Sequence, residues 1–233
     1  MNLNKNYYLV VSIFIIFLLI EAFIPVGLSK INLEQNVKSL KDKDTVWIFN
    51  GKDLTNLKLV LENKNVDTGN LFNIKNKILY VKTKHIGYFR TKNKYENFNL
   101  HAEWKWTEKD EKGNSGILFC IQPPDTVWPN CIQVNLKADH AGDLIAMNGA
   151  WFKEAAGNPK NAAVILSSSS EKPEGEWNSC DVLCMNDSMS VYINGILQNK
   201  ASGISNPAGT IGLQLEGKPI AFKNIYLIKN KKN

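Results

Sequence analysis

Residues 98–106 read FNLHAEWKW and alternate strictly between apolar and other side chains. Successive side chains of a β-strand point to opposite faces, so this period of two predicts a strand with one buried face. The side chains on the opposite face are His101, Glu103 and Lys105. The chain therefore contains at least one long, half-buried strand.

The same period recurs along the chain, and helical periods are not interleaved with it. Turn residues separate the segments, and Asn194-Gly195 is the strongest hairpin signal among them. Many short strands without intervening helices predict an all-β fold, a two-sheet antiparallel β-sandwich. Beyond residues 98–106, strands are predicted at 78–82, 116–121, 131–136, 181–185, 189–193, 211–215 and 220–228.

The composition excludes several classes of protein. Apolar residues make up 44% of the 233 residues and charged residues 21%, unlike a disordered chain, a fibre or a multi-span membrane protein. The net charge of +6 comes from lysine, because Arg90 is the single arginine. Nucleic-acid readers rely on clustered charge and on arginine, so no nucleic-acid partner is expected.

The N-terminal residues 1–29 have the pattern of an export signal. Lys5 precedes the apolar run 9–20, and the small residues Gly27 and Ser29 have the spacing of a cleavage site. An uncleaved anchor is the alternative, and only it would bring the chain into contact with a membrane. We expect a lead-in at 30–44, one domain at 45–229 and a basic tail at 230–233. The expected location is periplasmic, secreted or on the outer face of the cell envelope.

Four cysteines lie beyond the export signal, in a compartment that permits disulfides. Cys120 ends one predicted strand and Cys131 begins the next, so a symmetric hairpin would place them opposite each other as a candidate bridge. Cys180 and Cys184 are too far apart along one extended strand to bond to each other, and we interpret them as buried apolar residues.

Amide and carboxylate side chains share the non-core face of two predicted strands. Gln133 and Asn135 alternate with apolar residues in one strand, and Gln214 and Glu216 do so in another. Amides and carboxylates beside aromatic rings suit the hydroxyl groups and C–H faces of sugars. A solvated sheet face without a ligand is the alternative interpretation.

Seven short motifs in order give the chain a family resemblance across residues 45–229. The first, residues 47–54 (WIFNGKDL), resembles the opening of the 3-keto-disaccharide hydrolase domain family. The others lie at 114–117 (NSGI), 142–143 (GD), 176–178 (EWN), 194–195 (NG), 212–214 (GLQ) and 222–225 (FKNI). The resemblance implies a concanavalin A-like or laminin-G-like jelly roll. It also implies an exported bacterial protein of carbohydrate breakdown.

The family name implies cleavage of glycosides that are already oxidised to a ketone at C3 of the sugar. A C3 ketone acidifies the C2 proton, so the group at C1 can leave by elimination, followed by addition of water. This chemistry needs a base and a group that stabilises the enolate. It does not need the carboxylate pair of ordinary glycosidases.

The candidate site residues follow from the motifs and from the ionisable groups near them. His140, Asp143 and Glu216 are the catalytic candidates, and Asp139, His140 and Asp143 are weak candidate ligands of a divalent metal ion; no cofactor is certain. The substrate, an oligosaccharide or glycoside, would contact the side chains of Ser115, Gln133, Asn135, Trp151 and Gln214.

Two departures from the family pattern leave a second function open. Members commonly carry Glu-x-Gln where this chain has Gln133-x-Asn135, and many carry an arginine near Cys120. An amide does not act as a general base. A catalytically impaired, lectin-like carbohydrate-binding domain is therefore the alternative to an enzyme, and an adhesion domain of the laminin-G kind is a third candidate.

Overall fold

The computed structural model describes residues 44–82, 85–108 and 113–230. These residues belong to one compact unit, Asp44–Asn233. The expected export signal, residues 30–43 of the lead-in and residues 231–233 of the tail lie outside the described residues.

Short strands dominate the described part of the chain, as the alternation predicts. All eight predicted strands are present, and several further short strands accompany them. The strands are β1 (Thr45–Trp47), β2 (Leu57–Leu61), β3 (Phe72–Lys75), β4 (Ile78–Val81), β5 (Ile86–Thr91), β6 (Phe98–Trp106), β7 (Gly116–Ile121), β8 (Cys131–Asn135), β9 (Leu144–Met147), β10 (Ala162–Ala163), β11 (Asn178–Met185), β12 (Ser188–Ile193), β13 (Ile196–Ala201), β14 (Thr210–Glu216) and β15 (Ile220–Lys229).

The strands form two antiparallel sheets, which confirms the predicted all-β sandwich. The eight-stranded sheet has the order β13-β12-β11-β6-β15-β4-β3, with β1 paired to β15. The seven-stranded sheet has the order β10-β9-β8-β7-β14-β5-β2. Among the described residues, no helix has the length and apolar character that a membrane span requires.

The main core lies between the two sheets and takes one side of every long strand. In β6 the burial alternates along the whole strand, with Trp104 and Trp106 inside. The facing strand β8 contributes Ile132 and Val134 to the same cluster. The predicted inward sets of both strands are confirmed.

A second, smaller cluster lies on the outer face of the seven-stranded sheet. It contains Tyr88, Leu118, Ile121 and Cys131. The β7–β8 loop folds over this cluster, because the Tyr88 hydroxyl donates to the carbonyl oxygen of Thr126 at 3.0 Å. This face is therefore partly a second core, and even its polar residues are buried.

One aspartate ties the β7–β8 loop to the sheet beneath it. Asp125 accepts two hydrogen bonds from Arg90, at 2.7 and 2.8 Å, and one from Lys58 at 2.7 Å. The hydrogen bonds from Arg90 dominate and, with help from Lys58, lower the pKa of Asp125 to about 2. The single arginine of the chain thus has a structural role.

In place of the expected Cys120–Cys131 bridge, the structure has four free, buried thiols. The hairpin register pairs Phe119 with Ile132, as the symmetric hairpin requires. However, the backbone of Cys120 has φ +58°, and the register of β14 against β7 shifts at this point. The Cys120 side chain therefore joins the main core, while Cys131 lies in the outer cluster.

The first prediction concerns these thiols. We expect all four cysteines to resist alkylation in the native protein, because burial raises the pKa of each thiol, to about 12 for Cys120. Denaturation without reductant should then expose all four to iodoacetamide, counted by mass spectrometry. Two thiols that stay protected until a reductant is added would contradict the structure.

The second prediction concerns Asp125. A carboxylate with a lowered folded-state pKa stabilises the native state above its unfolded pKa, and this contribution disappears as the pH falls toward about 2. Asp125→Asn should therefore lower the free energy of unfolding at pH 7, and the difference from wild type should shrink in acid. Urea unfolding across this range measures both effects.

Asp187→Asn is the matched control, since Asp187 is exposed and its carboxylate accepts only a local bond from Ser188 at 3.3 Å among the described residues. The free energy of unfolding of Asp187→Asn should equal that of wild type at every pH. A constant difference between wild type and Asp125→Asn at every pH would show that the ion pairs do not carry the effect.

Candidate functional site

A chain of hydrogen-bonded side chains crosses the outer face of the seven-stranded sheet. Gln133 Nε2 donates to Gln214 Oε1 at 2.8 Å, and Gln214 Nε2 donates to Glu216 Oε2 at 2.8 Å. Gln133 and Gln214 are only 5% and 3% exposed, whereas Glu216 is half-buried. The amides thus hold the Glu216 carboxylate at the edge of a buried polar patch.

Ser115 and Gly116 shape the space that these hydrogen-bonded side chains occupy. A Cβ atom on Gly116 would lie 2.6 Å from Gln133 Nε2, closer than real Cβ contacts. The Ser115 hydroxyl donates to the backbone carbonyl oxygen of Gln214 at 2.8 Å. The Asn-Ser-Gly motif therefore shapes the patch, and Ser115 acts through the backbone of β14.

Asn135 joins the patch to the loop that follows β8. Its side-chain oxygen accepts from Lys137 N at 3.0 Å, and its backbone exchanges hydrogen bonds with Gly142 and Asp143 at 2.8 and 2.9 Å. These bonds fix the loop of residues 136–143 against the end of the sheet. Asn135 is 6% exposed.

This loop carries a histidine–aspartate pair. His140 Nδ1 lies 3.1 Å from Asp143 Oδ2, and Asp143 Oδ1 accepts from the backbone N–H of Ile165 at 2.8 Å. Asp143 is buried, whereas the His140 side chain is 54% exposed. With the proton on Nδ1, as this bond favours, the lone pair is on Nε2, which is the arrangement of a general base.

The His140–Asp143 pair borders the same short segment as the hydrogen-bonded row Gln133–Gln214–Glu216. We call this row the amide chain. Asn114 forms a bridge with Glu216, and the carbonyl oxygen of Gly113 accepts from Ala138 N at 3.1 Å. Residues 113–115 thus lie between Glu216 and the loop that carries His140. The structure brings the three catalytic candidates to one end of the outer face.

Glu171 is a carboxylate near this loop that sequence reasoning missed. It accepts from the backbone N–H of Ala141 and from the Ser169 hydroxyl, both at 3.3 Å. Burial, with the nearby charge of Asp139, raises its pKa. No motif or period marks Glu171, because it lies in a loop after a run of serines.

Trp151 lies away from these residues. Its backbone N–H donates to the Ser205 hydroxyl at 2.9 Å, and its ring covers Gly203. Strand β9 separates the two places, since Asp143 precedes it and Trp151 follows it. The predicted sugar-stacking residue is 49% exposed but lies at the opposite end of β9 from His140.

The candidate metal ligands do not converge. Among the described residues, no group of three or more His, Cys, Asp or Glu side chains could hold a metal ion. Asp143 is held by His140 and by a backbone N–H, and Asp139 has a left-handed backbone with φ +69°. The cluster of Asp139, His140 and Asp143 is therefore a hydrogen-bonded turn rather than a three-ligand site.

A family model described as a 3-keto-alpha-glucoside-1,2-lyase-like domain matches residues 44–228. The chain belongs to this family. The resemblance that the seven motifs indicated is thereby confirmed, and the match supports a carbohydrate-active function. No curated protein matches the chain.

Solved structures share the fold of this lyase-like domain. A "putative glycosyl hydrolase" from Parabacteroides distasonis ATCC 8503 is 21% identical, with a TM-score of 0.60, and the match covers 83% of this chain and 97% of that one. A carbohydrate-binding module, CBM66, from Bacillus subtilis is 13% identical with a TM-score of 0.56, covering 75% and 96%. At these identities the comparison shows the fold alone.

Two of the seven motifs have turn chemistry as their physical basis. The Asn50 side-chain oxygen accepts from the backbone N–H groups of Lys52 and Asp53, at 2.8 and 2.9 Å. Asn194 has φ +50° in the hairpin turn, and its Nδ2 donates to Asn178 Oδ1 at 2.8 Å. These matches identify the fold, whereas residues 114–116, 142–143 and 212–214 also build the candidate site.

The third prediction concerns the amide chain. Gln214→Leu should lower the free energy of unfolding by about 1–3 kcal/mol, because it leaves the buried Gln133 Nε2 without its acceptor. Urea unfolding monitored by tryptophan fluorescence gives this difference.

The double variant Gln133→Leu/Gln214→Leu supplies the comparison. Removing both partners leaves no unpaired amide, so its loss of stability should be smaller than the sum of the two single losses. Strictly additive losses would show that the two side chains are not coupled.

Proposed function

We propose that this chain cleaves 3-keto-glycosides by removing the C2 proton of the oxidised sugar. The proposal rests on the family match and, within the structure, on the exposed His140 held by the buried Asp143. Oligosaccharides or simple glycosides are the proposed substrates. The export expected from residues 1–29 stays a prediction.

The proposed reaction is an elimination followed by the addition of water. His140 Nε2 takes the C2 proton, and the electron pair of that C–H bond becomes an enolate with its charge on the C3 oxygen. The enolate then expels the group at C1, whose oxygen leaves with a proton. Water then adds to the C1–C2 double bond: its hydroxide bonds to C1, its proton replaces the one that was given to the leaving oxygen, and the imidazolium of His140 returns its proton to C2, which restores the 3-keto sugar with a hydroxyl at C1. The net reaction is hydrolysis.

The loop geometry supports His140 as the base. Asp143 is itself fixed by the Ile165 N–H, so its carboxylate orients the imidazole and stabilises the imidazolium that forms on protonation. The part of the His140 ring that does not contact Asp143 is exposed to solvent, so a substrate has room to approach it. Asp143 is accordingly a positioning residue.

Glu216 and the two glutamines supply the remaining groups. The Glu216 carboxyl, at the half-buried end of the amide chain, is the proposed proton donor to the leaving oxygen. An amide nitrogen carries two hydrogens, and the chain through Gln133 and Gln214 uses one from each. The part of the amide chain that is open to a substrate is the half-buried Glu216, which the buried amides hold in place.

One observation favours the alternative of a binding domain without catalysis. Strand β8 offers only neutral amides, Gln133 and Asn135, and both are buried in hydrogen bonds. A protein that uses this face for binding alone would hold sugar hydroxyls with the same amides. The two functions differ in whether His140 is needed for turnover.

The fourth prediction tests the reaction itself. Purified full-length chain should release nitrophenol from a nitrophenyl 3-keto-glucoside and leave the unoxidised nitrophenyl glucoside intact, because only the ketone acidifies the C2 proton. His140→Ala should lower turnover by about 10²- to 10⁴-fold, the usual contribution of a general base. Asp143→Asn should lower it less, mainly in kcat.

His85→Ala is the matched control for His140→Ala, since His85 precedes β5, and β5 lies three strands away from β8, which leads into the loop of His140. Its turnover should equal that of wild type. Binding of the keto sugar without turnover, unchanged by His140→Ala, would favour the binding domain. Equal cleavage of oxidised and unoxidised glucosides would overturn the elimination mechanism.

A further inference from the structure

The outer face of the eight-stranded sheet carries a continuous row of side chains across five strands. The Cα pairing joins Trp47 of β1 to Tyr226 of β15, Tyr226 to His101 of β6, His101 to Asp181 of β11, and Asp181 to Tyr192 of β12. We call these five residues the transverse row. They lie on the side of the sandwich opposite the site proposed above.

One end of the transverse row is an exposed aromatic surface. Trp47 is 50% exposed, and its ring centroid lies 5.1 Å from that of Tyr226. The Tyr226 and His101 rings are also 5.1 Å apart and only 33° from parallel. An exposed indole beside further rings is the surface on which the C–H face of a sugar packs.

The middle of the transverse row offers charged hydrogen-bonding groups. His101 Nδ1 lies 2.6 Å from Asp181 Oδ1, and His101 Nε2 lies 3.6 Å from Glu103 Oε1. Burial by itself lowers the pKa of His101, but hydrogen bonds and the charges of Asp181 and Glu103 raise it overall. The Asp181 side chain is 40% exposed, so it can accept from a ligand hydroxyl.

A neighbouring tryptophan differs from Trp47 in what contacts its ring. Trp177 lies on the same face, but Lys223 Nζ is 4.2 Å and Lys105 Nζ 5.1 Å from its ring centroid. Lys223 Nζ is also 3.1 Å from Glu103 Oε2. The Trp177 ring is thus engaged by cations, whereas the Trp47 ring has half of its surface in solvent.

We propose that the transverse row binds a neutral oligosaccharide, independently of the site for keto sugars. Four strand spacings of about 4.8 Å each give a row of about 19 Å, longer than a single sugar ring. The middle of the row is charged and hydrogen-bonding, and aromatic rings flank it, with Trp47 and Tyr226 on one side and Tyr192 on the other, unlike the apolar centre of a protein interface. Alternating ring and hydroxyl contacts fit a chain of sugars.

Affinity electrophoresis of the full-length chain tests this proposal without any oxidised sugar. Native gels containing hydroxyethylcellulose, laminarin, soluble starch or galactomannan should retard the wild-type protein in at least one case. Trp47→Ala should weaken that binding by about tenfold or more, and Asp181→Leu should weaken it as well. Near-UV circular dichroism of each variant checks that the sandwich is intact.

Trp128→Ala is the matched control, because Trp128 is also an exposed tryptophan, at 38%, but lies in the β7–β8 loop on the other sheet. It should be retarded like wild type, as should His140→Ala. Retardation of wild type in none of the four gels would overturn the proposal. So would equal retardation of wild type and a folded Trp47→Ala. Neither result bears on the cleavage of keto sugars, which is measured separately.

Discussion

A strand that is buried on both faces must find a hydrogen-bond partner for every polar side chain that it carries. Strand β8 is such a strand: Ile132 and Val134 face the main core, and Gln133 and Asn135 are buried on the other side. Its polar side chains therefore cannot stay solvated, and they are drawn into the amide chain and the loop that follows. The candidate site is a consequence of this constraint.

The need for hydrogen-bond partners on β8 explains why the site is buried and why its parts are hydrogen-bonded to one another. Gln133 is paired through Gln214 to Glu216, and Asn135 fixes the loop that carries His140 and Asp143. At the other end of the same face, Asp125 holds the β7–β8 loop over Tyr88 and Leu118. One face of a sheet thus combines a small apolar core with a polar end, and the polar end is where chemistry is proposed.

Alternation along the sequence predicted the sheets well, because its physical cause is local. The period of two in β6 and β8 correctly identified the side chains of the main core. Strand β5 was missed because both faces of its residues 87–89 are buried, which removes the alternation. The sequence pattern also indicated a solvated outer face, whereas the β7–β8 loop covers part of it.

The site was predictable only where neighbouring residues in the chain make it. His140 and Asp143 are three residues apart, so their pairing follows from a turn. Glu171 reaches the same loop from a distant segment, and nothing in its own surroundings in the sequence marks it. The expected bridge between Cys120 and Cys131 is absent for a related reason. The left-handed backbone of Cys120 turns its side chain to the other face of the sheet, and the pairing of β7 with β8 does not change.

The two outer faces of the sandwich are chemically different although one core supports both. The seven-stranded sheet buries neutral amides, whereas the eight-stranded sheet displays rings and ion pairs at its surface. Substitutions on one face leave the hydrogen bonds of the other in place. A protein with this organisation can change its ligand on one side without changing the other.

The thiols distributed over the two cores have a practical consequence. Cys120, Cys131, Cys180 and Cys184 contribute packing rather than covalent links, so the described domain needs no oxidant and no disulfide isomerase to reach its native state. Its native state has no disulfide bond that a reducing environment could break. The same sandwich can therefore be produced in the reducing cytosol of an ordinary expression host, whatever compartment it works in.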